Sequence, residues 1–363
     1  MIPVENVYFL LCYAWGRFDE GEMVEVASQD FCSAADLLAS VLHRGVSRLL
    51  RKGLDRGYLE KEEILNTIRG RIDIGYTGRH ALHRRGRAMC RFDDMEHDVL
   101  HNRIIKSTIG RLICVKDLER TTKDKLLGTY RRLQGIGDIE LRPAVFKRVT
   151  IHRNNRYYRF LLHVCQLLVS YLVPDEARGT YRFRDFLRDE KRMAYLFQEF
   201  VFNFLAKEQA EYAVKSDRLR WPATALDLDR EVDLDLLPVM DTDISLRSPS
   251  RTLIIDTKYY AEVLRAKHDY KPKVRSEHLY QINAYLDSLE TKDFPDDHAD
   301  GLLLYPTNST TVDLGWNIRG HTVMVKTIDL AQPWQNIRGD LLRIVDCWTA
   351  RPPAPKRVAA APP

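Results

Sequence analysis

The chain has 363 residues, 45% of them hydrophobic and 29% charged, with a formal net charge of +5. That balance gives material for two ordinary domains and excludes a chain built of low-complexity sequence. No apolar run reaches the roughly 18 residues of a membrane span, so no membrane partner is expected, and the mild positive charge fits a polyanionic partner without requiring one.

The opening "MIPVENVYFLLCYAWG" lacks a basic leader and a small-residue cleavage site. It reads as a structural helix over about 6–15 rather than a signal peptide. In "SAADLLASVLHRGVSRLLRKG", Leu37, Leu38, Val41, Leu42, Val46, Leu49 and Leu50 recur at helical spacing. A β-like region follows, from "EEILNTIRGRIDIG" to "RFDDM", then helical patterns over 97–116 and 118–134. The turn-rich "GIGDIELRPAVF" and the apolar helix beginning at "YYRFLLHVCQLLVSYLV" suggest a boundary near 150. Beyond it come a β-like "GTYRFRDFL" and the helix "RMAYLFQEFVFNFLAKEQ". Strands are expected near 213–219, 231–238, 243–247 and 252–258, then a helix over 275–289, strands near 301–305 and 320–328, and a closing helix near 333–346. The expected fold is therefore mixed α+β in two parts, 1–150 and 151–350, with a disordered Pro/Ala-rich tail over 351–363. Cys12, Cys32, Cys90, Cys114, Cys165 and Cys347 form no C-x-x-C pair; they read as buried free thiols in a reducing cytoplasm, and a cysteine zinc site is not expected.

The chemistry concentrates in "TDISLRSPSRTLIIDTKYY". Alternate residues of a strand share a face, so Asp256 and Lys258 project together while Thr257 points away. Asp243 lies in the preceding strand, and the turn "RSPSR" allows a hairpin that brings Asp243 beside Asp256. Two adjacent carboxylates repel unless a cation sits between them. Mg2+, with Mn2+ as its substitute, is the natural choice, being a hard ion that accepts oxygen ligands and phosphate oxygens. A lysine beside it can orient water and stabilise a phosphate transition state, which is the chemistry of phosphodiester hydrolysis. Alone, D-x-K is a common triplet whose ordinary reading is a solvated ion pair. The second acid at hairpin distance and a following helix bearing "QINAY" favour the catalytic reading.

Asp243 with Asp256-Thr257-Lys258 resembles the PD-(D/E)xK nuclease signature, and Gln281 and Tyr285 in "HLYQINAY" resemble the Q-x-x-x-Y helix of its RecB-like branch. Four residues apart, these two share a helix face. Thr242 stands where the superfamily has proline, a departure that touches no metal ligand. Glu199, in "LFQEFVFNF", resembles the acid that many relatives carry on the helix before the strands, and would be a third metal carboxylate; its ordinary reading is a flanking acid beside core Leu196, Phe197, Phe200, Val201 and Phe204. Together with "IPVENVYFLLCYAW", "RGRIDI" and "HRRGRAMCRFDDMEHDVLHNRIIK", the motifs resemble the McrC family, nuclease subunits of the modified-cytosine-dependent McrBC restriction system.

The resemblance implies a restriction-endonuclease-like domain with a central mixed sheet flanked by helices. It further implies a cytoplasmic DNA endonuclease that docks through its N-terminal half on an AAA+ GTPase ring, stimulates that GTPase and cuts double-stranded DNA. No G-x-x-x-x-G-K-[ST] loop occurs, so nucleotide hydrolysis is expected in the partner. Two other readings stand beside this one: an accessory ring-activating subunit with a silent nuclease site, and a stand-alone RecB-like nuclease. The basic loop "RHALHRRGR" and the Tyr- and Lys-rich "KYYAEVLRAKHDYKPKVRSEH" are candidate phosphate contacts, with a solvated basic loop as the ordinary reading of the first. His80 and His83 are expected to bind no metal.

Overall fold

The computed structural model describes residues 2–16, 31, 33–152, 156–175, 179–224, 234–260, 264–265, 273–289, 299–307 and 311–350. The tail 351–363 and most of 261–272 lie outside them, and with them the expectations made there. The chain forms two compact units, one of Met1–Asp30 with Phe186–Pro363 and the other of Phe31–Asp185.

The first helix, α1 (Val4–Ala14), belongs to the former unit. The latter unit begins with α2 (Ala34–Lys52), started by Ser33, whose hydroxyl accepts from the Asp36 amide. That bond satisfies one of the donors a helix start leaves orphaned. Strands β1 (Gly57–Leu65), β2 (Arg71–Ile72) and β3 (Ala88–Glu96) form an antiparallel sheet with β3 in the middle. The short α3 (Ile74–Arg79) and a 3-10 turn at Leu82–Arg85 carry the basic loop between β2 and β3. Helices α4 (Leu100–Ile113), α5 (Arg120–Arg131), α6 (Pro143–Lys147) and α7 (Arg156–Tyr171) follow, then the ribbon β4 (Leu172–Asp175) and β5 (Thr180–Phe183).

The sheet-bearing unit continues with α8 (Glu190–Glu208), β6 (Ala213–Lys215), β7 (Arg218–Leu219), β8 (Met240–Asp241), β9 (Ile244–Arg247), β10 (Thr252–Thr257), β11 (Leu264–Arg265), β12 (Lys273–Val274), α9 (Ser276–Leu289), β13 (Ala299–Thr307), β14 (Asp313–Ile318), β15 (His321–Asp329) and α10 (Trp334–Thr349). Six strands form a mixed sheet in the order β14-β15-β13-β10-β9-β6. The β10, β13 and β15 strands are mutually parallel, and the other three are antiparallel to their neighbours. The central β10 has a continuous apolar run, as a strand covered on both faces requires. One face meets α9: Ile254, Leu303, Tyr305, Val323 and Val325 pack with Ile282, Tyr285, Leu286 and Leu289. Residues of the other parity, such as Leu253, Ile255, Leu302 and Leu304, are equally buried. Helix α8 packs against β10 and β6, and α10 against β15.

The mixed α+β fold with its helix-flanked sheet agrees with expectation, but the division of the chain at 150 does not describe its units. Helix α7 belongs with α2, because Gly45 lets Leu161 press directly onto the α2 backbone. Helix α1 belongs instead with the large sheet. Phe9 stacks on Trp334 at 4.5 Å, Tyr13 packs edge-on to Phe200, and Asn6 donates to the carbonyls of Leu330 and Gln332.

The strand expected over 231–238 is also corrected. Its described residues, from 234, form a 3-10 turn, and the strand begins only at Met240. Pro238 lacks a ladder donor, and Leu236 is 80% exposed, so nothing packs there to hold an extended segment. Strand β14 was not expected at all, since its exposed edge carries no apolar run. Cys12, Cys90 and Cys165 are buried free thiols, whereas Cys114 and Cys347 are exposed.

Candidate active site

The β9–β10 ladder pairs Ile244 with Ile255. One step further, where the ladder ends, Asp243 comes beside Asp256. By strand parity Asp256 and Lys258 follow Ile254 onto the face covered by α9. The Lys258 amide donates to Leu304 O at 2.9 Å, so β13 holds the backbone through the motif.

Asp256 is fully buried, and neither of its carboxylate oxygens has a hydrogen bond. Lys258 Nζ lies 2.7 Å from Oδ2, at ion-pair distance but off the direction of a hydrogen bond. Burial pushes the Asp256 carboxyl up to about 6; the Lys258 charge opposes that rise and the neighbouring Asp243 charge adds to it. The half-buried Asp243 is anchored differently. Its Oδ2 accepts from both the amide and the hydroxyl of Thr257, each at 2.8 Å. Among the described residues no donor reaches its Oδ1.

Helix α9 supplies the next layer. Lys258 Nζ donates to Gln281 Oε1 at 2.9 Å, Gln281 Nε2 to Tyr285 Oη at 2.6 Å, and Tyr285 Oη to the Asp241 carbonyl at 3.2 Å. This chain of bonds ties the lysine to the backbone two residues before Asp243. Thr242 is buried; its hydroxyl accepts from the Asp217 amide and its own amide donates to Asp217 O, which fixes the entry into β9.

Five of the six residues singled out in the sequence thus converge: Asp243, Asp256, Lys258, Gln281 and Tyr285. Glu199 does not join them. It sits midway along α8, half-buried, its carboxyl raised by burial alone. Among the described residues no group of three or more His, Cys, Asp or Glu side chains gathers as a metal cluster.

Sequence reasoning missed two neighbours. Thr257, placed by alternation on the far face, turns its hydroxyl to Asp243 at the end of β10. His278 is buried at the start of α9, with Nδ1 2.7 Å from Tyr305 Oη and its ring 5.0 Å from that of Tyr260. Burial first, then the Lys258 charge, bring its pKa down to about 4, so it is neutral beside the ammonium at pH 7. The spacing 278, 281, 285 repeats along one helix face and is the signal that could have found it.

The site suits a hard cation. Mg2+ keeps most of its waters and takes one or two protein carboxylates plus phosphate oxygens. Asp256 offers two buried oxygens with no hydrogen bond, and Asp243 offers Oδ1. Desolvated anions of this kind are costly unless a charge compensates them.

The architecture is that of a mixed sheet whose central strand β10 and antiparallel neighbour β9 together deliver two acids and a lysine to one notch. The family model described as "McrBC 5-methylcytosine restriction system component" matches residues 7–306, and the chain belongs to that family. It is 36% identical over 348 residues to the Type IV methyl-directed restriction enzyme EcoKMcrBC of Escherichia coli (strain K12), covering 95% of this chain and 98% of that one. Its fold resembles a chain in the refined half-complex from the tetradecameric assembly of Thermococcus gammatolerans McrB AAA+ hexamers with bound McrC. There the TM-score is 0.58 at 16% identity, over 94% of this chain and 76% of that chain. No described helix is long and apolar enough to cross a membrane.

Proposed function

We propose that this chain is the Mg2+-dependent endonuclease subunit of a McrBC-type restriction system, with a PD-(D/E)xK-type site. It cuts modified-cytosine DNA in the cytoplasm and stimulates the GTPase of an AAA+ ring that works with it. The observation carrying this reading is the convergence of Asp243, the buried carboxylate of Asp256 and its ion-pair partner Lys258 in one notch.

Asp243 and Asp256 would hold Mg2+, or Mn2+ in its place. Bound there, the ion supplies Lewis acidity and a template for the scissile phosphate. Asp256 must be ionised to hold it, and a divalent charge favours the carboxylate against the burial that raises its pKa. Lys258 is held by Gln281 with ammonium protons to spare, so it can orient the attacking water and donate to phosphate oxygens as negative charge develops on them. Gln281 and Tyr285 keep that ammonium in place, and neutral His278 adds no competing charge. The unit Phe31–Asp185, with its exposed basic loop at Arg84, Arg85 and Arg87, is the part that would dock on the ring.

The test is cleavage of modified-cytosine plasmid DNA by the purified chain, with and without its AAA+ partner, GTP and Mg2+. Cutting that needs all three supports the proposal. Cutting by the chain alone would establish the stand-alone nuclease instead, and GTPase stimulation with no cutting under any condition would establish a silent site.

A further inference from the structure

The flank of α9 next to the Gln281–Tyr285 row borders a cavity of about 430 Å3, lined among others by Trp221, Tyr280, Asn283, Asp287 and Arg319. Two large rings stand open here, Trp221 at 43% and Tyr280 at 74% exposure. Asn283 Nδ2 donates to the Leu279 carbonyl, and that leaves its Oδ1 buried with no hydrogen-bond partner. Such an acceptor costs free energy until a donor reaches it.

Arg319 adds a third feature. It and Gly320 form the two-residue turn between β14 and β15, with φ of 54° and 91°. Turns of this kind favour Asn-Gly, because a side chain at positive φ is strained. An arginine is kept there nonetheless, its Nη1 2.9 Å from Asp287 Oδ2 at the cavity edge.

A short stretch of chain links the cavity wall to the candidate active site. Arg218 pairs with Asp241, whose carbonyl accepts from the Tyr285 hydroxyl, and the chain reaches Trp221 only three residues later. That is about 10 Å of extended backbone.

We propose that this cavity binds a nucleobase of an unpaired DNA strand next to the cutting site, an inference that rests on the nuclease reading. Trp221 and Tyr280 offer faces for stacking, Asn283 adds a polar edge to the wall, and Arg319 meets the strand's phosphate. A base inside a duplex has both faces covered and presents only edges. Aromatic faces in a concave site therefore select a base that has left the stack.

The experiment measures fluorescence anisotropy of a short single-stranded oligonucleotide with the full chain in EDTA, where nothing is cut. An abasic strand of equal length serves as control. Loss of base stacking weakens single-strand binding by about 1–3 kcal/mol per base, or roughly 5- to 150-fold. Trp221→Ala and Tyr280→Ala should each weaken binding of the normal strand within that range and leave the abasic strand unaffected, while Trp221→Phe retains affinity. Equal affinity for the two strands, or no effect of either alanine variant, would overturn the proposal. So would displacement of the strand by an equimolar free mononucleotide. Cleavage of duplex DNA by the wild-type chain with its AAA+ partner, GTP and Mg2+, measured in parallel, separates the two readings. A wild-type chain that never cuts defeats the nuclease reading, whereas normal cutting with base-independent binding defeats only this one.

Discussion

Thr257 grips one oxygen of Asp243 with two donors, its backbone amide and its hydroxyl, both at 2.8 Å. One carboxylate oxygen is thereby fixed while the other stays open. The residue between the second acid and the lysine thus positions the first acid. Hydrogen bonds to charged groups contribute about 1.5–3 kcal/mol each. Thr257→Val keeps the shape and the amide bond but loses the hydroxyl. The Mg2+ concentration for half-maximal cleavage should rise by roughly tenfold or more, and Mn2+ binding measured calorimetrically should weaken in parallel. Thr257→Ser should restore both. An unchanged metal dependence in the valine variant would remove Thr257 from the site.

Asp256 links the site to stability. Its carboxyl titrates near 6 when folded, against 3.8 for the ordinary group, because burial penalises the ionised form. Below about pH 4 it is protonated in both states and costs nothing. As pH rises through the window from 4 to 6 the unfolded chain releases the proton first, so the folded state loses stability; above 6 the loss is constant. The shift corresponds to at most about 3 kcal/mol. Metal-free Asp256→Asn should therefore melt higher than wild type at pH 8, by less than this limit because Lys258 loses its counter-ion. The difference should shrink as pH falls toward 4. A variant less stable than wild type at pH 8 would contradict the assigned cost.

Gly301 faces α9 from the middle of β13. A Cβ there would lie 2.7 Å from Ile282 Cγ1 and 3.1 Å from Leu286 Cδ1. Gly301→Ala must push Ile282 and Leu286 aside and strain their packing on the sheet, at a cost of about 1–3 kcal/mol. Because α9 carries Gln281 and Tyr285, cleavage should fall together with the melting temperature. Unchanged melting would mean that α9 yields freely.

Asp300 holds a buried guanidinium. Its Oδ2 accepts from Arg251 Nη2 at 2.9 Å and from Trp348 Nε1 at 2.7 Å, and its Oδ1 from the Thr322 amide. Asp300→Ala leaves a buried cation without its counter-ion, which costs about 3–5 kcal/mol. Chemical denaturation should show a loss of that size, and a loss below about 1 kcal/mol would show that water already reaches the pair.

How much of this was legible in the sequence depends on the range of the interactions. Strand alternation alone sets Asp256 and Lys258 on one face, and helical spacing sets Gln281 beside Tyr285. The continuous apolar run before Asp256 marks a strand covered on both sides. Thr257 was hidden because alternation holds only within the ladder, and the chain turns at its end. His278 had the right spacing but no distinguishing neighbours. Membership of α1 in the sheet unit depends on Phe9 meeting Trp334 some three hundred residues away, which no local pattern carries. The edge strand β14 has no buried face to leave a signature, and the place of Glu199 depends on how α8 packs, which its neighbours in sequence do not encode.

The central claim is that Asp243, Asp256 and Lys258 form one phosphodiester-cleaving site, separable from activation of the ring. The most direct measurement follows plasmid cleavage and GTP hydrolysis side by side for wild type, Asp256→Ala and Lys258→Ala, each with the AAA+ partner, GTP and Mg2+. Both variants should lose cleavage while stimulating GTP hydrolysis as wild type does. Cleavage that persists in Asp256→Ala would contradict the account.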